Sequence, residues 1–297
     1  MTRESVATKI ASMRKILFHD VDGCLNTPDG ASLPFEVAQL QPTQRNALGQ
    51  LGEVLDKSDI DVMVLNTGRS IAASIFLAEA INSQKLKYIV AEHGAAGYSM
   101  DESSHLDLVH YAKDIPHLHT AYSGLEKILA LMKWYEEDGA HLLARKIGHH
   151  VVASPKKANL TLRVPENTCG DEMLEDLRRL IEQHSPVGGD YLVYHHSVSD
   201  GYLDVTAEVD KGDGVQLIRY LESTQRIRTY AIGNGSNDLP MFRHVDVCIC
   251  PSNSDESVFD FCEANNGLIS PHRFIGATLD MLGKALPTVG SDLLIPM

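Results

Sequence analysis

Positive charge is scarce in this chain: 26 lysines and arginines stand against 40 aspartates and glutamates, for a formal net charge of -14. A surface of that sign repels nucleic acid and anionic membranes at long range, so neither is expected as a partner. The same field opposes an anionic small molecule. A site for one must therefore gather positive charge locally, from a metal ion, a lysine and backbone amides. Cysteine is sparse as well. The five thiols (Cys24, Cys169, Cys248, Cys250, Cys262) are odd in number, irregularly spaced and without a C-x-x-C pair, which speaks against a structural zinc site and for free thiols in a reducing cytoplasm. The first fifteen residues hold Arg3, Glu4, Lys9, Arg14 and Lys15, with no apolar run long enough for a signal peptide or a membrane span. Internal repeats, low-complexity tracts and Pro-rich linkers are missing too. What is there is 297 residues, 43% hydrophobic and 22% charged, the composition of a cytoplasmic globular protein large enough for one big domain or two modest ones.

The apolar run Lys15–Phe18 reads as a buried strand that breaks at His19-Asp20-Val21-Asp22-Gly23. A helical period follows over Thr43–Leu55, then a strand over Asp61–Leu65 ending in Asn66-Thr67-Gly68-Arg69, a helix over Ile71–Asn82 and a strand over Tyr88–Ala91. This alternation predicts an α/β fold with a doubly wound, Rossmann-like parallel sheet, whose sites lie beyond the carboxyl ends of the strands. The pattern then changes. Leu125, Ile128, Leu129, Met132 and Tyr135 share one helical face, strands are predicted over Val151–Ala153 and Ala158–Val164, a helix over Asp171–His184, and a hairpin over Tyr191–Val205 around Ser199-Asp200-Gly201. From Lys211 the first pattern resumes: a helix over Val215–Glu222, a strand over Thr229–Ile232, the loop Gly233–Asp238 and a strand over Val245–Ile249. The expected organisation is a core of residues 1–92 and 203–297 interrupted by an α+β domain of residues 93–202.

Four short segments carry chemistry. Asp20 and Asp22, one residue apart at a strand end, project differently once the backbone turns, so one suits attack and the other proton handling. Gly23 lets backbone amides approach an anion, although Asp and Gly also simply make turns. Thr67 and Gly68 offer a hydroxyl and an unencumbered amide. Lys211 is placed to neutralise charge, and Gly233-Asn234-Gly235-Ser236-Asn237-Asp238 offers oxygen ligands of the kind magnesium prefers, or a plain helix N-cap.

In this order the segments Asp20-x-Asp22-Gly23, Thr67-Gly68-Arg69, Lys211-Gly212 and Gly233-x-Gly235-x-Asn237-Asp238 resemble the haloacid dehalogenase superfamily of phosphatases. The closer resemblance is to its Cof-like, type IIB subgroup, which carries a large α/β cap between the second and third motifs; Glu92-His93-Gly94-Ala95 looks like the lead into such a cap. The resemblance implies Asp20 as nucleophile and Asp22 as acid and base. It also implies Gly23, Thr67, Gly68, Lys211 and Asn237 around the phosphoryl group, and Mg2+ held by Asp20, Asp22, Asn234 and Asp238. The substrate would be a small phosphorylated metabolite such as a sugar phosphate or phosphoglycolate. Alternatives are a phosphomutase with the same motifs and, further off, a non-catalytic binding protein. The family more often has Asp where Asn234 stands, which implies weaker attraction for the metal. Arg69 has the best claim among the basic residues to touch substrate.

Other features read as structural. His149-His150 and His195-His196 point to opposite faces of their strands and do not easily share an ion, Lys156 and Lys157 read as a solvated turn, and Trp134 and Tyr135 as packing.

Overall fold

The structure, a computed structural model, describes residues 13–284 apart from 28, 32, 35–39, 116–117, 120–121, 123, 155, 165–169, 188–191, 198–200 and 224–225. Arg3, Glu4, Lys9 and Cys169, and Ser199 and Asp200 of the expected hairpin turn, lie outside the described residues.

The strands are β1 (Arg14–His19), β2 (Val62–Asn66), β3 (Leu86–Ala91), β4 (Ala96–Ser99), β5 (Ser104–Leu106), β6 (Val152–Ser154), β7 (Leu160–Arg163), β8 (Val193–Ser197), β9 (Tyr202–Thr206), β10 (Ile227–Ile232), β11 (Val247–Cys250) and β12 (Leu268–Ile269). An eight-stranded sheet runs β12-β11-β10-β1-β2-β3-β4-β5, parallel from β12 through β3. β1 is fully buried from Ile16 onward, with Leu17 turned to one apolar cluster and Ile16 and Phe18 to another. A strand apolar on both faces has to be covered on both, here by the helices Pro42–Lys57 and Phe274–Gly283 on one side and Lys211–Leu221 and Glu256–Ala264 on the other. The helix Lys211–Leu221 starts four residues earlier than its periodicity predicts. Its cause is the Asp210 side chain, which accepts from the amides of Gly212 and Asp213 and caps the first turn.

The second unit is a four-stranded antiparallel sheet, β6-β7-β9-β8, with its own apolar cluster. Its limits differ from the expected 93–202. β4 pairs antiparallel with β3 and β5 with β4, extending the large sheet, while β9, through Thr206, belongs to the small one. Within this unit Tyr135 is buried and donates to the Val151 carbonyl at 2.7 Å, as expected for packing, whereas Leu129, predicted on the same buried face, is 56% exposed. Among the described residues no helix is long and apolar enough to cross a membrane.

Candidate active site

β1 lies between β10 and β2, where the chain order reverses, so the loops leaving these strands open on one crevice at their carboxyl ends. Asp20 follows β1, Thr67 follows β2, the loop 233–238 follows β10, and Lys211 opens the helix that leads into β10. Three of the predicted side chains meet there: Lys211 Nζ donates to Asp20 Oδ1 and to Asp238 Oδ1, both at 2.6 Å. All three are buried, Lys211 to 1% and Asp20 to 4% exposure. The other oxygen of Asp238 accepts from the amides of Asn234 and Gly235, which ties the loop down behind the lysine.

Burial pushes the Asp20 carboxyl up to about 7, with repulsion from Asp238 adding to it and Lys211 opposing. For Lys211 burial works against the charge, but attraction to Asp20 and Asp238 outweighs it and the pKa rises. One lysine between two buried carboxylates does not satisfy both. One ammonium against two carboxylates leaves a negative charge in excess, which a further cation would offset.

Thr67 is fully buried and its hydroxyl accepts from the Arg69 amide at 3.1 Å. Gly68 lies against the His93 ring, where a Cβ would come within 2.5 Å of Cε1, so only glycine fits. Gly23 turns at φ +78 beneath the Asn234 amide, which a Cβ would strike at 2.3 Å. Its carbonyl accepts from Asn253 and its amide donates to Asn26.

Arg69 and Asn237 depart from expectation. Arg69, expected at the substrate, is 2% exposed and spends its guanidinium on Asp22 and on the carbonyls of Leu33 and Pro34. Nε reaches Asp22 Oδ2 at 2.9 Å and the terminal nitrogen reaches Oδ1 at 2.6 Å, the fork geometry that fixes a carboxylate. Arg69 thus orients Asp22, whose side chain stays 53% exposed toward the crevice. Asn237, expected at the phosphate, is exposed with its amide oxygen folded over Gly235.

The sequence did not signal His19. Its Nδ1 donates to the carbonyl of Asp20, and the neutral ring accepts at Nε2 from Thr278 Oγ1 at 2.7 Å. Burial holds this imidazole down at about 4, so the contact to Asp20 is that of an uncharged ring. Cys24 is a buried thiol donating to Asn234 Oδ1 at 3.3 Å, its pKa raised chiefly by burial. The position just before an acidic loop held a readable polar residue in His19; its partner 259 residues away was not readable.

The groups left to hold a cation at the crevice are oxygens, the Asp20 carboxylate and the amide oxygen of Asn234, while Asp238, expected as a ligand, gives one oxygen to Lys211 and the other to two loop amides. Among the described residues no three His, Cys, Asp or Glu side chains form a metal cage. The set fits a hard divalent ion that keeps several waters.

Residues 17–265 match the family of haloacid dehalogenase-like hydrolases. No curated protein matches the chain in sequence. Solved structures share its fold. A protein of Thermoplasma acidophilum, 0175, is 15% identical, over 91% of this chain and 96% of its own, with a TM-score of 0.57. The sucrose-phosphatase of Synechocystis, solved with sucrose and phosphate, is 14% identical over 91% of this chain and 97% of its own, TM-score 0.57. A haloacid dehalogenase-like hydrolase of Bacteroides thetaiotaomicron is 13% identical over 91% and 98%, TM-score 0.57.

Proposed function

Since the chain belongs to the haloacid dehalogenase-like hydrolases, we propose that it is a magnesium-dependent phosphatase of a small phosphorylated metabolite that works through an aspartyl-phosphate on Asp20. The observation that carries this is the convergence of Asp20, Lys211 and Asp238 at the sheet edge. Asp20 attacks phosphorus as the bond to the leaving oxygen breaks, and the Asp22 carboxyl gives that oxygen its proton. Asp22, now a carboxylate, takes a proton from water, whose oxygen attacks the same phosphorus; phosphate departs and Asp20 is restored. Lys211 offsets the charge between nucleophile and phosphoryl group, while Thr67 and the Gly68 amide hold its oxygens. Magnesium would be held by Asp20, the Asp22 carbonyl and Asn234, with water completing its shell, and would neutralise the phosphoryl charge; Asp238, expected among its ligands, is instead the anchor of Lys211 and of the loop amides.

Phosphate release from a panel of phosphorylated metabolites, with magnesium and with EDTA, tests the proposal, together with the intact mass of acid-quenched protein for a phosphoenzyme. Activity indifferent to EDTA, or turnover with no phosphoenzyme, would sink it. Since neighbours in fold include sugar phosphatases, sugar phosphates are the first to assay.

Two variants probe the machinery. Arg69→Lys replaces a fork by a point charge that cannot hold both Asp22 oxygens and two carbonyls at once, so kcat should fall about 10–100-fold with little change in KM. Unchanged kcat would deny Arg69 its positioning role. Asn234→Asp adds a charge where the family usually carries one, and the magnesium concentration for half activity should drop by roughly tenfold. A wild-type enzyme already saturated at low micromolar magnesium contradicts that expectation.

A further inference from the structure

His19 is a fully buried imidazole beside the nucleophile, and the chemistry above leaves it idle. Its place at the end of β1 calls for an apolar side chain: the strand is covered on both faces, and Ile16, Leu17 and Phe18 before it are at most 1% exposed. A polar ring costs stability in such a place unless both nitrogens are bonded. Both are. A carbonyl can only accept, so Nδ1 carries the proton and donates to the Asp20 carbonyl at 2.5 Å, while Nε2 accepts from the Thr278 hydroxyl at 2.7 Å. The second contact fixes the tautomer that the first requires.

The ring completes the fixing of Asp20. The Asp20 amide donates to the Ile232 carbonyl of β10 at 2.9 Å, and one carboxylate oxygen accepts from Lys211 at 2.6 Å. These bonds hold the strand end and the tip of the side chain. The plane of the peptide that follows Asp20 is held at its carbonyl, by His19. That peptide opens the loop that turns through Asp22 and through Gly23 at φ 78, so a rotation there would move Asp22 relative to Asp20. A misplacement of about 1 Å between reacting groups costs on the order of 100-fold in rate.

Thr278 belongs to the helix Phe274–Gly283, which is bound to the same loop at two further places. The Ile275 amide donates to the Asn26 carbonyl at 3.2 Å. Asn253 joins loop and helix, giving Nδ2 to the Gly23 carbonyl at 2.9 Å and taking the Phe274 amide on Oδ1 at 2.8 Å. Phe274 adopts φ 51, a left-handed conformation that bulky residues avoid and that persists only where the surroundings impose it. Ile275 and Leu282 root the helix in the apolar cluster that also holds Leu17, which makes it a firm mount for the Thr278 hydroxyl.

We propose, resting on the phosphatase assignment, that His19 is a positioning residue of the nucleophile and that Thr278 anchors it, so that the helix Phe274–Gly283 sets the aim of Asp20. Such a role acts on the rate of attack and not on binding of the ester. It belongs to one donor, the N–H at Nδ1.

The test compares kcat, KM and melting temperature of wild type, His19→Phe, His19→Asn and Thr278→Val on p-nitrophenyl phosphate with magnesium. Phenylalanine keeps a ring and loses both nitrogens, asparagine returns an N–H close to the place of Nδ1, and valine keeps the shape of threonine without its hydroxyl. His19→Phe should lower kcat about 30-fold with KM within about twofold of wild type, and His19→Asn should recover most of that rate whatever its melting temperature. Thr278→Val should lower kcat about fivefold, and combining it with His19→Phe should cost nothing beyond His19→Phe alone, since both act through one ring. A His19→Phe variant with the kcat of wild type overturns the proposal, as does an asparagine variant as slow as the phenylalanine one, or losses that follow melting temperature instead of the donor. If His19→Phe does not fold, Thr278→Val decides: an unchanged kcat overturns the proposal. A wild type that hydrolyses no phosphate ester at all would instead remove the phosphatase assignment beneath it.

Discussion

Asp20→Asn should lower phosphate release by about 10⁴-fold or more while leaving the metal-free protein at least as stable as wild type. The first half follows from chemistry, because an amide cannot form the aspartyl-phosphate. The second follows from the site's electrostatics. Asp20 is 4% exposed, and burial with Asp238 nearby raises its carboxyl from 3.8 to about 7. A carboxyl that binds its proton more tightly when folded stabilises the fold below its ordinary pKa, and that contribution is lost as pH rises through about 7. Asparagine keeps an oxygen for Lys211 and carries no charge. At pH 8 in EDTA the variant should melt about 2–4 °C above wild type, and at pH 5 the gap should narrow. A lower melting temperature at pH 8 would mean that the Lys211 ion pair outweighs the burial of Asp20, and the account of a site short of positive charge would fail.

The parts of this site that could be read from the chain are those whose chemistry and place are both local. Asp20, Thr67 and the loop that ends in Asp238 stand out because each follows an apolar run, and a parallel sheet puts all such ends on one edge. Arg69 was legible as a residue of the site and illegible as to role, because its partners, Asp22, Leu33 and Pro34, are far along the chain. Asn237 shows the converse: its neighbours in sequence suggested the phosphate, yet the turn of the loop folds its amide over Gly235. The limits of the inserted unit were misplaced for a related reason. Ala96–Ser99 and Ser104–Leu106 are short, weakly patterned strands whose sheet is decided by pairing, the first with β3 and the second with β4, and nothing local distinguishes them from strands of the insertion. The place of Lys156 was likewise hidden, since a lysine in a turn reads as solvated, whereas its side chain is 10% exposed and lies against Asp204.

Replacing Lys211 by methionine should be the most damaging single change to folding, and should cost activity as well. The lysine is held from both ends: Asn66 Nδ2 donates to its carbonyl at 2.9 Å, and its ammonium bridges Asp20 and Asp238 at 2.6 Å each. Without it two buried carboxylates face one another with no intervening cation, a loss of about 3–5 kcal/mol for a broken buried ion pair. Removing the charge that sits against the transferring phosphoryl group should lower kcat/KM by about 10³-fold. Denaturant unfolding and steady-state kinetics of Lys211→Met measure the two effects. The double variant Lys211→Met with Asp238→Asn removes the repulsion as well, so it should regain much of the stability and none of the activity. If both variants unfold alike, the damage is a matter of packing around the lysine stem and the charge argument is wrong. Magnesium supplies the complementary check: by binding beside Asp20 it should raise the melting temperature of Lys211→Met more than that of wild type, because the variant lacks the ammonium that bridges those two carboxylates.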